Sequence, residues 1–466
     1  MKFTKITLSI FSIIFIASCA TYYQKNLKFQ EHVTNGKLEK AKQLLLKDTK
    51  SKENRNKLLY YFNLGWINFM LQESNESNSN FAQADIIIED QQKKYGLEAL
   101  SLVSNPGIKP YKPEDFEVVL LNYYKTLNYL RLQKFEEALV ECKKINIKLN
   151  SLNDKHKDHK NRYQQDAFAH LIMGLVYDAG KDYNNAFIAY RNALEIYETD
   201  YSKNFGIEAP LQLKKDILRT ASLVGFYDEV QYYEKQFGIK YMKKENRGGE
   251  LIFLWQNGFG PVKSEWSINF SKVDGEGGWI TLVNDDLGIN FPFYIGDKSA
   301  KEKSAFADLS FLRIAFPKYL ERPTYFNGAE IIANQANYPL EIAEDINEIA
   351  FKTLHDRMLR EIGTSILRLA TKKALELAAR KENENIGAAI GIVNALTEKA
   401  DTRNWQTLPR TISYARIPLP EGKNTIELKT YGNRKFETKQ LSFDIEKNRS
   451  KFFVFHSIES FPPVEN

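Results

Sequence analysis

Small residues set twelve apart in two successive apolar stretches constrain this chain more than any other feature. From Asp166 to Glu198 the sequence runs His170-Leu171-Ile172-Met173-Gly174-Leu175-Val176-Tyr177, then Tyr183, Ala186, Tyr190 and Ala193. Apolar positions return at three- and four-residue steps, the period of a helix with one buried face. Gly174 and Ala186 let two such helices approach closely, Tyr177 and Tyr190 fill the space beside the crossing, and Asp182-Tyr183 marks the turn between them. One pair of this kind cannot bury its apolar face alone, so further pairs must stack against it.

Weaker copies are present. Lys57 to Asp90 carries Tyr61, Leu64, Gly65, Phe81 and Ala84, with Ser77 where a small apolar residue is expected. Phe116 to Ile147 carries Tyr129, Phe135 and Ala138, but has Thr126 at the glycine position and Cys142 at an aromatic one. Leu211 to Gly238 keeps Tyr227 and reads as a degenerate terminal unit. Together these resemble the tetratricopeptide repeat. The resemblance implies a helical solenoid over 35–240, irregular because loops such as Asn150 to Arg162 are long, with a concave face that holds a protein segment; the alternative is that the repeats only pack against the C-terminal half.

A composition shift at Arg247-Gly248-Gly249 opens a second half, 247–466, expected to be a mixed α/β domain. Strand-like runs are expected over 250–317: Glu250 to Trp255, Ser267 to Phe270, Trp279 to Val283, Ile289 to Tyr294 and Phe311 to Phe316. Helical periodicity is expected over 342–399, in one helix from Ile342 to Arg380 and another from Asn385 to Lys399 holding Gly387 and Gly391. Strands return over 411–456 and are expected to be antiparallel. The turn Pro418 to Lys423 is similar to that of small envelope β-sandwich modules of the PEGA type.

The start of the chain predicts export. Lys2 and Lys5 precede an apolar run from Ile6 to Ile16, which is too short to span a bilayer and suits a signal peptide over 1–18. Ile16-Ala17-Ser18-Cys19 resembles the bacterial lipobox, which implies cleavage before Cys19, a diacylglyceryl group on its sulfur and N-acylation of its new amino group. Two or more acyl chains anchor stably where one is marginal. Residues 19–34 are expected to be a tether. Ala20 in place of aspartate favours the outer membrane, with the body facing the periplasm.

Asn257 to Lys263, Ala315-Phe316-Pro317 and Glu398 to Pro409, taken with the lipobox and repeats, resemble a bacterial family of tetratricopeptide lipoproteins over nearly the whole chain. That resemblance supplies no catalytic residues. Its company with envelope lipoproteins of the penicillin-binding-protein activator kind implies cell-wall or outer-membrane work.

Recognisable chemistry is missing. No P-loop, dinucleotide fingerprint, GxSxG elbow, HExxH or CxxC pattern occurs, so no cofactor or metal site is expected. His156 and His159 sit among lysines that disfavour a cation. The net charge is +6 on 466 residues, with two of the lysines in the expected signal peptide, too little to argue for nucleic-acid binding. Cys142, in an amphipathic stretch, reads as a small buried residue and has no disulfide partner if Cys19 is acylated. The candidate interaction residues are Glu398, Asp401, Arg403 and Trp405, since tryptophan and arginine are frequent interface anchors; the alternative for this segment is a structural ion-pair cluster with Trp405 as a core plug. The expected function is a membrane-anchored adaptor that docks an envelope protein through its repeats. The alternative is a periplasmic enzyme or regulator acting on cell-wall or glycan material.

Overall fold

The computed structural model describes residues 20–95, 109–154, 163–242, 248–285, 288–297, 311–358, 400–432 and 436–464, with single positions 300, 303 and 376. The signal peptide, Cys19, His156, His159, Glu398, the expected helix over 385–399 and, apart from Glu376, the part of the expected Ile342 to Arg380 helix over 359–380 lie outside the described residues.

The expected tether is folded. Thr21 and Gln24 form a reciprocal capping box on a short helix, Tyr22–Lys25. Helix α1 (Leu27–Thr34) then buries Phe29, Gln30 and Val33. Phe29 and Val33 stand four apart, one helical face, and that is enough to draw this segment into the core. After α2 (Leu38–Lys47) come four helix pairs in series: α3 (Lys57–Met70) with α4 (Ser74–Tyr95), α5 (Asp115–Arg131) with α6 (Phe135–Asp154), α7 (Ala167–Ala179) with α8 (Tyr183–Ile196), and α9 (Leu211–Val224) with α10 (Tyr227–Phe237).

The pairs close by the same turn. A residue in left-handed conformation follows the first helix each time: Gln72 at φ 62°, Gln133 at 56°, Lys181 at 64° and Gly225 at 83°. Its N–H bonds to the carbonyl three residues back, and the next N–H to the carbonyl five back, as in Gln133 to Leu130 and Lys134 to Tyr129. These bonds satisfy carbonyls that a helix end leaves open. Gly65, Thr126 and Gly174 all lie seven residues before that turn residue, so the three repeats share one register. Leu218 takes the place in the fourth pair, where no small residue remains.

Twelve strands are described, in three sheets: β1 (Gly249–Asn257), β2 (Val262–Asp274), β3 (Trp279–Asn284), β4 (Ile289–Tyr294), β5 (Phe311–Leu320), β6 (Phe326–Ala333), β7 (Ala336–Pro339), β8 (Glu341–Asp345), β9 (Thr411–Leu419), β10 (Gly422–Gly432), β11 (Phe436–Ile445) and β12 (Ser450–Ser457). The orders are β12-β1-β9-β8, β11-β10-β6-β7 and β4-β3-β2-β5. The last strand departs from the antiparallel expectation, because β12 pairs with β1 in parallel. Strands β6 to β8 are also unexpected. Asn334 and Gln335, both with positive φ, join β6 to β7 as a two-residue hairpin turn. Helix formation starts at 346, not at Ile342, which lies in β8. Asp345 ends that strand and accepts the Glu348 N–H at 3.0 Å, which caps the helix over 346–358.

The first sheet is a middle layer. Alternate residues of β1 serve two cores: Ile252 and Leu254 meet the helices, while Leu251, Phe253 and Trp255 meet the second sheet. On β9, Ile412 and Tyr414 face the helices and Ala415 and Ile417 face the sheet. The two halves of the chain therefore share a core and are not separately packed domains. The third sheet has its own small core of residues such as Phe270, Leu282 and Ile314, with Met358 packed against it.

Candidate functional site

The inner face of the helical array, expected to hold a partner, is filled by the chain itself. Along α5, every residue from Phe116 to Asn128 is buried. Trp66 of α3 meets Phe259 and His456, the side chains of Tyr123 and Tyr124 reach Gln256, and the Tyr197 hydroxyl donates to the Ala343 carbonyl at 2.6 Å. The first sheet thus occupies the groove that a solenoid of this kind otherwise presents.

The repeat residues pack as their spacing implies. Ala84, Ala138, Ala186 and Ala193 are fully buried at the crossings, and Phe81 and Tyr190 cover Gly65 and Gly174. Tyr177 is partly buried against the same core. Ser77, odd by pattern, donates to the Gly65 carbonyl at 2.8 Å and accepts from Asn128 at 2.8 Å, so its hydroxyl is satisfied across two pairs.

The segment expected to present Asp401, Arg403 and Trp405 to a partner turns inward instead. Asp401 and Arg403 pair with each other at 2.7 Å. The Arg403 guanidinium also donates to the carbonyls of Arg55 at 3.3 Å and Lys109 at 3.0 Å and lies over the Tyr111 ring. Trp405 is 1% exposed, and its main-chain N–H donates to the Glu117 carboxylate at 2.6 Å. Arginine there serves main-chain carbonyls, and tryptophan fills the core, so neither offers a contact surface. Burial, with Glu114 adding, pushes the Glu117 carboxyl up to about 7 despite Lys263. Burial also works against Glu114, but Arg357 and Lys263 outweigh it and hold that carboxyl at about 2.

An open slot lies at the ends of the helix pairs. The turns at Gln72, Gln133 and Lys181 form one wall of a slot of about 940 Å³. The β11–β12 connection forms the opposite wall, and Ser450 to Phe453 of β12 line the floor. β12 is the terminal strand of its sheet, and its first four residues line the slot. Several charges around it are tied to protein partners: Glu73 to Lys42 at 2.5 Å, Glu446 to Arg449 at 3.1 Å, and Lys451 to the Asp444 carbonyl at 3.0 Å. Sequence reasoning misses these residues, because a turn glutamine and a strand serine carry no chemical signal of their own. The repeat register, which aligns Gln72, Gln133 and Lys181, is the one signal that could group them.

No helix among the described residues is long and apolar enough to cross a membrane. No known protein family's sequence profile matches the chain, and no curated protein matches it in sequence. Among solved structures, the apo form of RapI is similar over 46% of this chain and 52% of RapI, at 15% identity and a TM-score of 0.34. The matched part thus spans about half the length of RapI. MamA of AMB-1 is similar over 47% of this chain and 96% of its own, at 14% identity and a TM-score of 0.28.

Proposed function

We propose that the protein is a protein-binding adaptor of the bacterial cell envelope, held by acyl chains on Cys19 at the periplasmic face of a membrane, the outer one. The observation that carries the adaptor reading is the open slot at the ends of the helix pairs, beside a sheet edge, on an array whose inner face the chain has filled. The lipobox carries the anchor. The fold bears on how the anchor would work, since Thr21 already caps a helix and the Tyr22 N–H donates to Thr402 at 3.0 Å. Two residues span at most about 7 Å, so a lipid on Cys19 would hold the body close against the bilayer.

The experiment is a pull-down from detergent-solubilised envelopes with the tagged full-length protein, alongside a Cys19→Ala form. The expected result is a reproducible envelope protein captured by both forms, with the native form in the outer-membrane fraction and Cys19→Ala soluble after export. No reproducible partner would sink the adaptor. Mass spectrometry showing an N-terminus without fatty acids would sink the anchor.

A further inference from the structure

We propose that the slot receives an extended polypeptide segment of the partner, which adds to the free edge of β12 as a further strand; this deepens the adaptor reading and rests on it. The main chain of β12 sets the geometry. The Glu250 N–H donates to the Arg449 carbonyl and the Gly258 N–H to the Ser457 carbonyl, at 3.0 and 2.8 Å. Main-chain groups alternate between the two sides of a strand. The odd-numbered residues of β12 therefore turn theirs toward β1, and Ser450 and Phe452 turn theirs to the outer edge. No strand among the described residues pairs there. These are the residues that floor the slot.

The walls select what enters. Four acids, Glu73, Glu76, Asp444 and Glu446, face four bases, Arg131, Lys181, Arg449 and Lys451, around it, so the slot carries no net charge to favour a cation or an anion. The Gln133 amide oxygen accepts from Arg449 at 3.3 Å, and the amides of Gln72, Asn75 and Asn448, which line the slot as well, suit a ligand rich in neutral donors and acceptors. A peptide backbone is such a ligand, and strand addition draws its affinity from main-chain bonds and its specificity from alternate side chains. A second copy of this chain, pairing β12 with β12, is the competing occupant, and dimerisation of the peptide-free chain in light scattering would overturn the proposal. The Phe452 side chain packs toward the helices and Phe453 toward β11, so an added strand would show its two faces to two different surfaces.

The test uses the full mature chain with Cys19→Ala and a displayed library of linear peptides. Selected peptides are expected to slow hydrogen exchange at the Ser450 and Phe452 amides. Ser450→Pro removes an outward N–H at the first position of an edge strand, where proline is tolerated. It is expected to weaken peptide binding at least about tenfold, the worth of one or two hydrogen bonds. Ser450→Ala keeps that N–H and is expected to bind as the parent does. Should Ser450→Pro fail to fold, the exchange measurement on the parent chain still decides. Selection of no peptide, protection confined to other residues, or equal binding by Ser450→Pro and Ser450→Ala would each overturn the proposal. If both variants still capture the envelope partner equally well, strand addition fails while the adaptor reading stands.

Discussion

Trp405 lies flat on Phe62, with ring centroids 4.2 Å apart and planes 15° from parallel. The two residues come from opposite halves of the chain and bind the helical array to the segment leading into β9. The indole N–H is satisfied by Thr407 at 2.8 Å, so the ring is buried without an orphan donor. Trp405→Ala should therefore cost about 3–5 kcal/mol, the range for deleting a large buried aromatic. Trp405→Phe should cost less, since it keeps the stack and loses only the outer ring and one hydrogen bond. Urea unfolding followed by circular dichroism checks both, and a loss under about 1 kcal/mol for the alanine variant would show that the stack is not holding the halves together.

Arg416 of β9 makes a comparable link at the far end of the array. Its guanidinium pairs with Asp178 of α7 at 2.7 Å, with Asp216 of α9 at 2.7 Å and with Glu250 of β1. Burial opposes its charge, but those three carboxylates outweigh it and hold the proton more tightly than usual. Removing the cation leaves Asp178 and Asp216 to share Arg219 alone, and breaking a buried pair from one side costs about 3–5 kcal/mol. Arg416→Gln should fall in that range or just below it. Adding Asp216→Asn, which leaves Arg219 to Asp178, should recover part of the loss, as a coupled cluster does and independent sites do not. Thermal unfolding of the single and double variants is the measurement.

These two links explain which parts of the architecture the sequence can reveal. The repeat register is local: Gly174, Ala186 and Tyr190 lie within a few helical turns, and their spacing predicts their contact. The unbroken apolar run Leu251 to Trp255 likewise carries a readable trace of a strand buried on both faces. Filling of the array by that strand is not readable, because Trp66 and His456, or Asp178 and Arg416, are hundreds of residues apart. Arg403 is ambiguous for the same reason. An arginine two residues after an aspartate reads equally as an interface anchor or as a structural ion pair until the carbonyls of Arg55 and Lys109 are seen to close over it. The floor of the slot depends on β12 joining β1 in parallel, a pairing that no local pattern encodes.

His456 should make the protein acid-sensitive. Its Nε2–H donates to the Gly258 carbonyl at 2.7 Å, and the ring packs against Trp66 and Phe259. Burial drives its pKa down to about 4, with Arg322 adding to the effect and the carbonyl opposing it. The imidazole is neutral in the fold and titrates near 6.5 in the unfolded chain. Its contribution is thus full above about 6.5 and is lost as pH falls toward 4, a change of about 3 kcal/mol. Glu117 and Asp345, raised to about 7 and about 6, act in the opposite sense, with stability falling as pH rises from the ordinary carboxylate range through those values. The net profile mixes these slopes, so the check is a difference. His456→Gln should flatten the acid-side slope between pH 6.5 and about 4 relative to the parent. Equal slopes in the two proteins would contradict the assignment.

The second helix pair offers a direct test of the repeat register. A Cβ on Gly65 would meet the Phe81 ring at 2.7 Å, and one on Gly174 the Tyr190 ring at 2.3 Å. In the second pair the same two places hold Thr126 and Cys142, with Oγ1 and Sγ 3.6 Å apart. Bulk has moved from the second helix to the first, and both residues are fully buried. Cys142→Tyr alone should drive its ring into Thr126 and cost about 1–3 kcal/mol. Thr126→Gly alone should leave a void and loosen the helix, for about 1–3 kcal/mol. The double variant rebuilds the arrangement of the first and third pairs and should be more stable than the sum of the single losses by at least about 1 kcal/mol. A favourable coupling of that size by urea denaturation would establish that the three pairs share one packing rule. Simple additivity would mean that the Gly65/Phe81 and Gly174/Tyr190 contacts arise separately, and the common register of the array would then have no energetic content.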